Sequence, residues 1–192
     1  MDKATRRQQL LHHARDVFAK RGYHAAKIED IVTAAGVARG TFYLYFTDKR
    51  AIFEEIVDRT LHRVGMAIER VDITRPVADQ VRGNIRRIVA LLLEDRATTK
   101  ILLASASGID PAFDRKMTAF FDEVATLLEQ SLRDGQELGI VAKGDTRMFA
   151  YLTMGSLKEL LFELVVRGWD HPEERIAEEI FLFFRAGYLR VD

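Results

Sequence analysis

Arg39 carries the most specific chemistry in the chain. It is followed by Gly40, Thr41, Phe42, Tyr43, Leu44, Tyr45 and Phe46, and then by Lys49. A guanidinium is a planar fork that matches the O6/N7 acceptors of guanine, giving about one to two orders of magnitude of discrimination. Gly40 has no side chain, so a backbone can approach closely there. Thr41 can bond a phosphate or touch a thymine methyl, and Leu44 can meet a thymine methyl. Tyr43 and Tyr45 carry hydroxyls that reach phosphates while their rings brace a helix; packing inside the small domain is the other role open to them. Lys27 and Lys49 supply ammonium groups for phosphate, Lys49 at a helix start where free N–H groups also favour an anion. Phe42 and Phe46 lie one turn apart and are assigned to the core.

These residues need an element that presents them to a groove. Ile28, Ile31, Val32 and Ala35 fall at i, i+3, i+4, i+7, one apolar face of a short helix. Gly36 follows as a turn, and a second short helix runs over residues 38–46. Paired short helices joined by a glycine turn are a helix-turn-helix, whose second helix enters the major groove N-terminus first. An earlier helix over residues 4–20 carries Leu10, Ala14, Val17 and Phe18 on one stripe, with Gly22 as its C-terminal cap.

The formal net charge is zero, but it is unevenly placed. Residues 1–50 hold 10 Lys/Arg against 5 Asp/Glu, and residues 51–192 hold 19 against 24. A basic module binds phosphates whatever charge lies at the far end. There is no cysteine, which excludes disulfides, thiolate metal sites and a cysteine nucleophile. No apolar run is long enough to span a bilayer and the first residues are polar, so a cytoplasmic protein is expected.

The remainder reads as helix throughout, giving an all-α chain of about nine helices. Thr47 or Asp48 can cap a fourth helix over 49–71, and further helices are expected over 77–95, 97–107, 111–138, 146–167 and 172–189. The last two are apolar on more than one side and require cover beyond their own core. A second copy of the chain is the economical cover, with Met148, Tyr151, Phe162, Val166, Ile180, Phe181, Phe184 and Tyr188 as the expected interface. A small-molecule pocket inside the bundle draws on Met66, Asn84, Ser105, Phe120, Phe121, Thr153, Met154, Ser156 and Glu159, with core packing as the plainer role of each. Glu54, Asp58 and His62 are in line on the fourth helix, but the interleaved Glu55, Arg59 and Arg63 make that stretch a salt-bridged wet face, so no metal site is assigned. His12 and His13 are adjacent and expected to diverge around the first helix.

At Gly22-Tyr23, Asp30-Ile31-Val32, Ala35-Gly36-Val37, Gly40-Thr41-Phe42-Tyr43, Tyr45-Phe46 and Asp48-Lys49 the sequence resembles the N-terminal domain of the tetracycline-repressor (TetR/AcrR) family, over residues 8–55. Beyond residue 55 no motif extends the likeness. The resemblance implies a homodimeric transcriptional regulator, in most cases a repressor, that binds a palindromic operator and is released by a small-molecule effector in its C-terminal domain. Ala26 and Ala38 depart from it, standing where the family commonly has a capping Thr and a Ser, which removes two side-chain caps.

The division expected is residues 1–48 for DNA binding and 49–192 for effector binding and dimerisation. No glycine-rich phosphate loop, nucleophile elbow or H-E-x-x-H is present, so no catalytic residue and no cofactor is assigned. The rival readings are an architectural DNA-binding dimer without ligand and an enzyme with an unrecognised site in the bundle.

Overall fold

The computed structural model describes residues 3–103 and 111–191. Among them are nine α-helices: α1 (Lys3–Arg21), α2 (Ile28–Ala34), α3 (Arg39–Tyr43), α4 (Lys49–Ala67), α5 (Val77–Glu94), α6 (Arg96–Leu103), α7 (Pro111–Glu137), α8 (Thr146–Leu161) and α9 (Glu173–Gly187). A π-helical turn, Phe162–Val166, continues α8. No helix among the described residues is long and apolar enough to cross a membrane. One isolated antiparallel bridge pairs Val141 with Leu189 and pins the chain's end against the loop after α7.

The first three helices form where the apolar spacing requires them. Leu10, Ala14, Val17 and Phe18 are buried along α1, and Ile31 and Val32 along α2. Gly36 takes φ 64°, a left-handed turn that a Cβ would strain, and this breaks α2 from α3. Gly22 does the same after α1 at φ 77°. The element expected over 38–46 is only five residues of helix, because Leu44 and Tyr45 already leave it in turn geometry. Asp48 caps α4 by accepting from the Ala51 N–H at 2.7 Å, and Asp145 caps α8 through Met148 N–H at 3.0 Å. Helix α4 ends at Ala67, four residues before the expected end.

Two cores result, and the first of them crosses residue 48. The first joins α1–α4 to Ile101 and Leu102 of α6 and to Phe113, Met117 and Phe120 of α7. The second gathers Val89, Leu132, Val141, Ala150, Leu164 and the inner face of α9, where Phe181 is fully buried. Within it α7 packs along α8 and α5 along α9. The joint between α1–α4 and the rest is aromatic: the Phe113 ring stacks on Tyr23 at 4.6 Å and on Phe53 at 4.7 Å. Arg15 of α1 pairs with Asp95, which also accepts from Thr98 Oγ1 at 2.9 Å at the start of α6.

Candidate nucleic-acid interface and effector cavities

Helix α3 sorts its side chains as its spacing requires. Phe42 and Phe46 are buried, while Arg39, Gly40, Tyr43 and Leu44 are exposed, Leu44 by 73%. Thr41 and Tyr45 are half-buried, and the Tyr45 ring packs against the first core. The Tyr45 carbonyl accepts from Arg7 Nη1 at 3.1 Å, and Arg7 also pairs with Glu55 on α4. Gln9 donates to the Ala35 carbonyl at 2.9 Å. Helix α1 therefore clamps both the turn and the exit of the helix-turn-helix, a role that nothing in the spacing of Arg7 or Gln9 announces.

Arg39 is held in place by contacts within its own chain. It forms an ion pair with Glu29 of α2 and donates from Nη2 to the Tyr43 hydroxyl at 3.3 Å. These contacts, the Tyr43 hydrogen bond first and Glu29 second, raise the guanidinium's already high pKa. The arrangement ties an exposed guanidinium to an acid and a phenol of its own chain. Lys27 sits at the start of α2 and joins no ion pair among the described residues; its N–H is satisfied by Asp30 at 2.9 Å, which compensates for the missing side-chain cap. Ala38 likewise offers no cap to α3.

Lys49 has a different role from the phosphate contact expected of it. Its Nζ donates to the carbonyls of Tyr23 at 2.7 Å, Ala26 at 2.9 Å and His24 at 3.2 Å, and lies over the Tyr23 ring. An ammonium has three protons, and three carbonyls take them. Lys49 fastens the segment between α1 and α2 and so positions the whole reading head.

The regulatory half contains two apolar cavities that share Ile68, Ile88, Leu128 and Leu157 as a common wall. The first, about 110 Å³, lies between α4, α5, α6, α7 and α8, with Phe120, Phe121 and Met154 in its lining. The second, about 190 Å³, reaches α9 and includes Asn84 and Thr153. Other expected pocket residues are elsewhere. Met66 is 72% exposed, Glu159 is exposed, and Ser156 donates to the Thr153 carbonyl away from both linings. Ser105 lies outside the described residues. The walls that sequence reasoning missed are Leu, Ile and Val side chains together with Thr99, Lys158 and Tyr188.

Residues 10–56 match the family described as bacterial regulatory proteins, tetR family. The HTH-type transcriptional regulator YvdT of Bacillus subtilis is 43% identical over 193 residues, covering 93% of this chain and 92% of that protein. The chain belongs to the TetR family. The fold agrees: the fatty acid degradation regulator FadR of Bacillus halodurans superposes with TM-score 0.80 at 23% identity, covering 100% of each chain. FadR of Bacillus subtilis, solved in complex with stearoyl-CoA, gives 0.77 at 22%, covering 94% of this chain and 98% of that one.

In this TetR-family regulator the outward face of the last helices differs from the expected one. Ile180, Phe181 and Phe184 lie in the chain's own core, and Tyr188 packs between Phe149 and Phe184 with its hydroxyl 2.8 Å from Thr153 Oγ1. Phe162 and Val166 are half-buried. The exposed apolar residues are Met148, Tyr151 and Leu152 on α8 and Leu182 and Phe183 on α9, Phe183 by 64%. Period alone could not separate the two faces, because both are apolar and only packing decides which one turns inward.

Two metal-like clusters also resolve. On α4, Glu54 pairs with Arg50 and Asp58 with Lys116. On α1, His12 and His13 do not diverge as expected: with Asp16 their ligand atoms fall within 4.8 Å of one another, since Asp16 is one turn from both. Arg15 Nη2 lies 3.2 Å from His12 Nδ1, a cation placed against that cluster.

Proposed function

We propose that this TetR-family regulator is a homodimeric repressor. Residues 1–48 hold a palindromic operator, and residues 49–192 dimerise and bind an apolar small molecule that releases the DNA. Arg39 reads a base; Gly40, Thr41, Tyr43, Leu44 and Lys27 meet bases or phosphates around it; Lys49 positions the head. No catalytic step is assigned to the chain. The observation that carries this reading is the continuity of the first core, which contains Phe42 and Phe46 behind the reading helix and also Leu102 and Phe120 on the wall of the first cavity. A ligand that displaces that wall moves side chains packed in the same body as the reading helix, which gives it different affinities for two arrangements of the head.

The dimer is proposed through the exposed α8 and α9 face of Met148, Tyr151, Leu152, Leu182 and Phe183, where exposed Gly155 and Ala186 leave room for close helix approach. Light scattering on the purified protein tests this directly, with a mass near twice 21.9 kDa expected and a Phe183→Glu variant shifting toward the monomer. For the whole reading, DNA from around the protein's own gene is footprinted and titrated by fluorescence anisotropy. One protected palindrome supports the reading. Protection spread over any sequence overturns it in favour of an architectural binder.

A further inference from the structure

We propose that the effector is a single-chain amphiphile with one anionic head, held by Lys158 at the mouth of the first cavity, its tail running on into the second. The proposal rests on the cavities being the effector site and on which polar atoms there are already bonded.

Among the described residues of the two linings, nearly every polar side chain is occupied. Thr99 Oγ1 donates to the Leu92 carbonyl at 2.6 Å. The Asn84 amide exchanges hydrogen bonds with the Glu69 backbone, at 2.9 Å as acceptor and 2.8 Å as donor. Thr153 Oγ1 donates to the Phe149 carbonyl at 2.8 Å and lies 2.8 Å from the Tyr188 hydroxyl. Ser131 faces solvent at the rim. A ligand with polar groups along its body would bury them without partners, which costs free energy for each. The occupant must therefore be apolar along its length.

Lys158 is the exception. Among the described residues it is the single charged side chain in either lining, and it joins no ion pair. Its neighbours one turn away on α8 and its extension are Met154, Gly155, Leu161 and Phe162, none of them acidic. Its Nζ lies 4.8 Å from the centroid of Phe121, which lines the same cavity. An exposed ammonium over a ring at the mouth of an apolar cavity attracts an anion and repels a cation. The four residues that wall both cavities are all aliphatic and offer no polar barrier to a tail that outgrows the first.

The test is isothermal titration of the full chain with octanoate, dodecanoate, dodecyl phosphate and dodecan-1-ol, each below its micelle concentration. Dodecanoate or dodecyl phosphate should bind about tenfold tighter than the alcohol, and whichever is tighter identifies the head as carboxylate or phosphate. Lys158→Met should remove that preference while leaving the alcohol's affinity unchanged, and Lys158→Arg should keep it. Equal binding of alcohol and anions, or a preference that survives Lys158→Met, overturns the proposal and leaves the effector site standing. Between octanoate and dodecanoate, affinity should rise about three- to fourfold per methylene. No dependence on chain length shows that the tail is not in the cavities, and then the effector site itself is wrong.

Discussion

The reading face and the cavities use polar groups in opposite ways. On α3 the polar atoms point outward and are held by partners they can leave, as Arg39 is held by Glu29 and Tyr43. In the cavities the polar atoms are bonded inward to the backbone or to each other, and the walls are aliphatic. On the function proposed above, the first region recognises a partner by residue type and the second by shape and by one charge. The contrast teaches where each can be broken: a single substitution on α3 removes a recognition element, whereas in the cavities, Lys158 apart, it changes only volume. What joins them is neither. Phe113, Tyr23 and Phe53 form a stacked joint through which the two regions share a core.

The largest effect is therefore expected at the joint. Phe113→Ala should cost about 3–5 kcal/mol of stability, as deletion of a buried ring does, measured by urea unfolding. Phe113→Leu keeps most of the volume and should blunt effector-driven release of DNA while sparing each binding step. If release is unchanged in Phe113→Leu, the two regions communicate by another route.

Next is Lys49. Lys49→Met removes three charge-assisted hydrogen bonds and should cost about 2–3 kcal/mol. In the folded variant the salt dependence of DNA binding should be unchanged, because no phosphate contact has been lost. A flatter salt slope at unchanged stability would return Lys49 to the phosphate backbone.

The same contrast explains what could be read in advance. The helix-turn-helix was legible because its signals are local: an apolar i, i+3, i+4, i+7 stripe, a glycine with positive φ, and an outward Arg39 one residue into the helix. The helix boundaries were legible through Asp48, Asp145 and the glycines. Lys49 was misplaced because its partners are carbonyls more than twenty residues away, and a carbonyl leaves no trace in the residue type. The cavity walls were missed for a related reason. Ile68, Ile88, Leu128 and Leu157 come from three helices and the residue just past α4, and look like any other core residues; only their failure to fill the space between them marks a site. Ile180, Phe181 and Phe184 were assigned outward because two apolar faces on one helix cannot be ranked without the neighbouring helix.

At the reading face, Arg39→Ala should lower affinity for the operator by about one order of magnitude and relax preference at one base pair, with little change for unrelated sequences. Glu29→Gln tests the restraint on Arg39. It should raise affinity for all sequences and narrow the gap between operator and competitor, since Glu29 both orients the fork and repels phosphate. Competition titrations separate the two outcomes. An unaltered gap in Glu29→Gln would make the ion pair incidental.

The smallest effect is expected inside the second cavity, at Tyr188. Burial pushes its hydroxyl up to about 12, and the hydrogen bond with Thr153 only partly offsets this. The folded pKa lies above the unfolded value, so folding favours the protonated phenol. That contribution is complete below pH about 10, the unfolded tyrosine value, and is lost as pH rises through about 12. Absorbance at alkaline pH should show a tyrosine step near pH 12 from Tyr188. Tyr188→Phe should remove this late step and cost about 1 kcal/mol, because Thr153 keeps its bond to the Phe149 carbonyl. The pair is a sealed polar contact in an apolar wall, so apolar ligands should bind the variant unchanged. A large loss of ligand affinity in Tyr188→Phe would mean that this hydroxyl turns from Thr153 to the ligand, and that the cavities recognise by residue type after all.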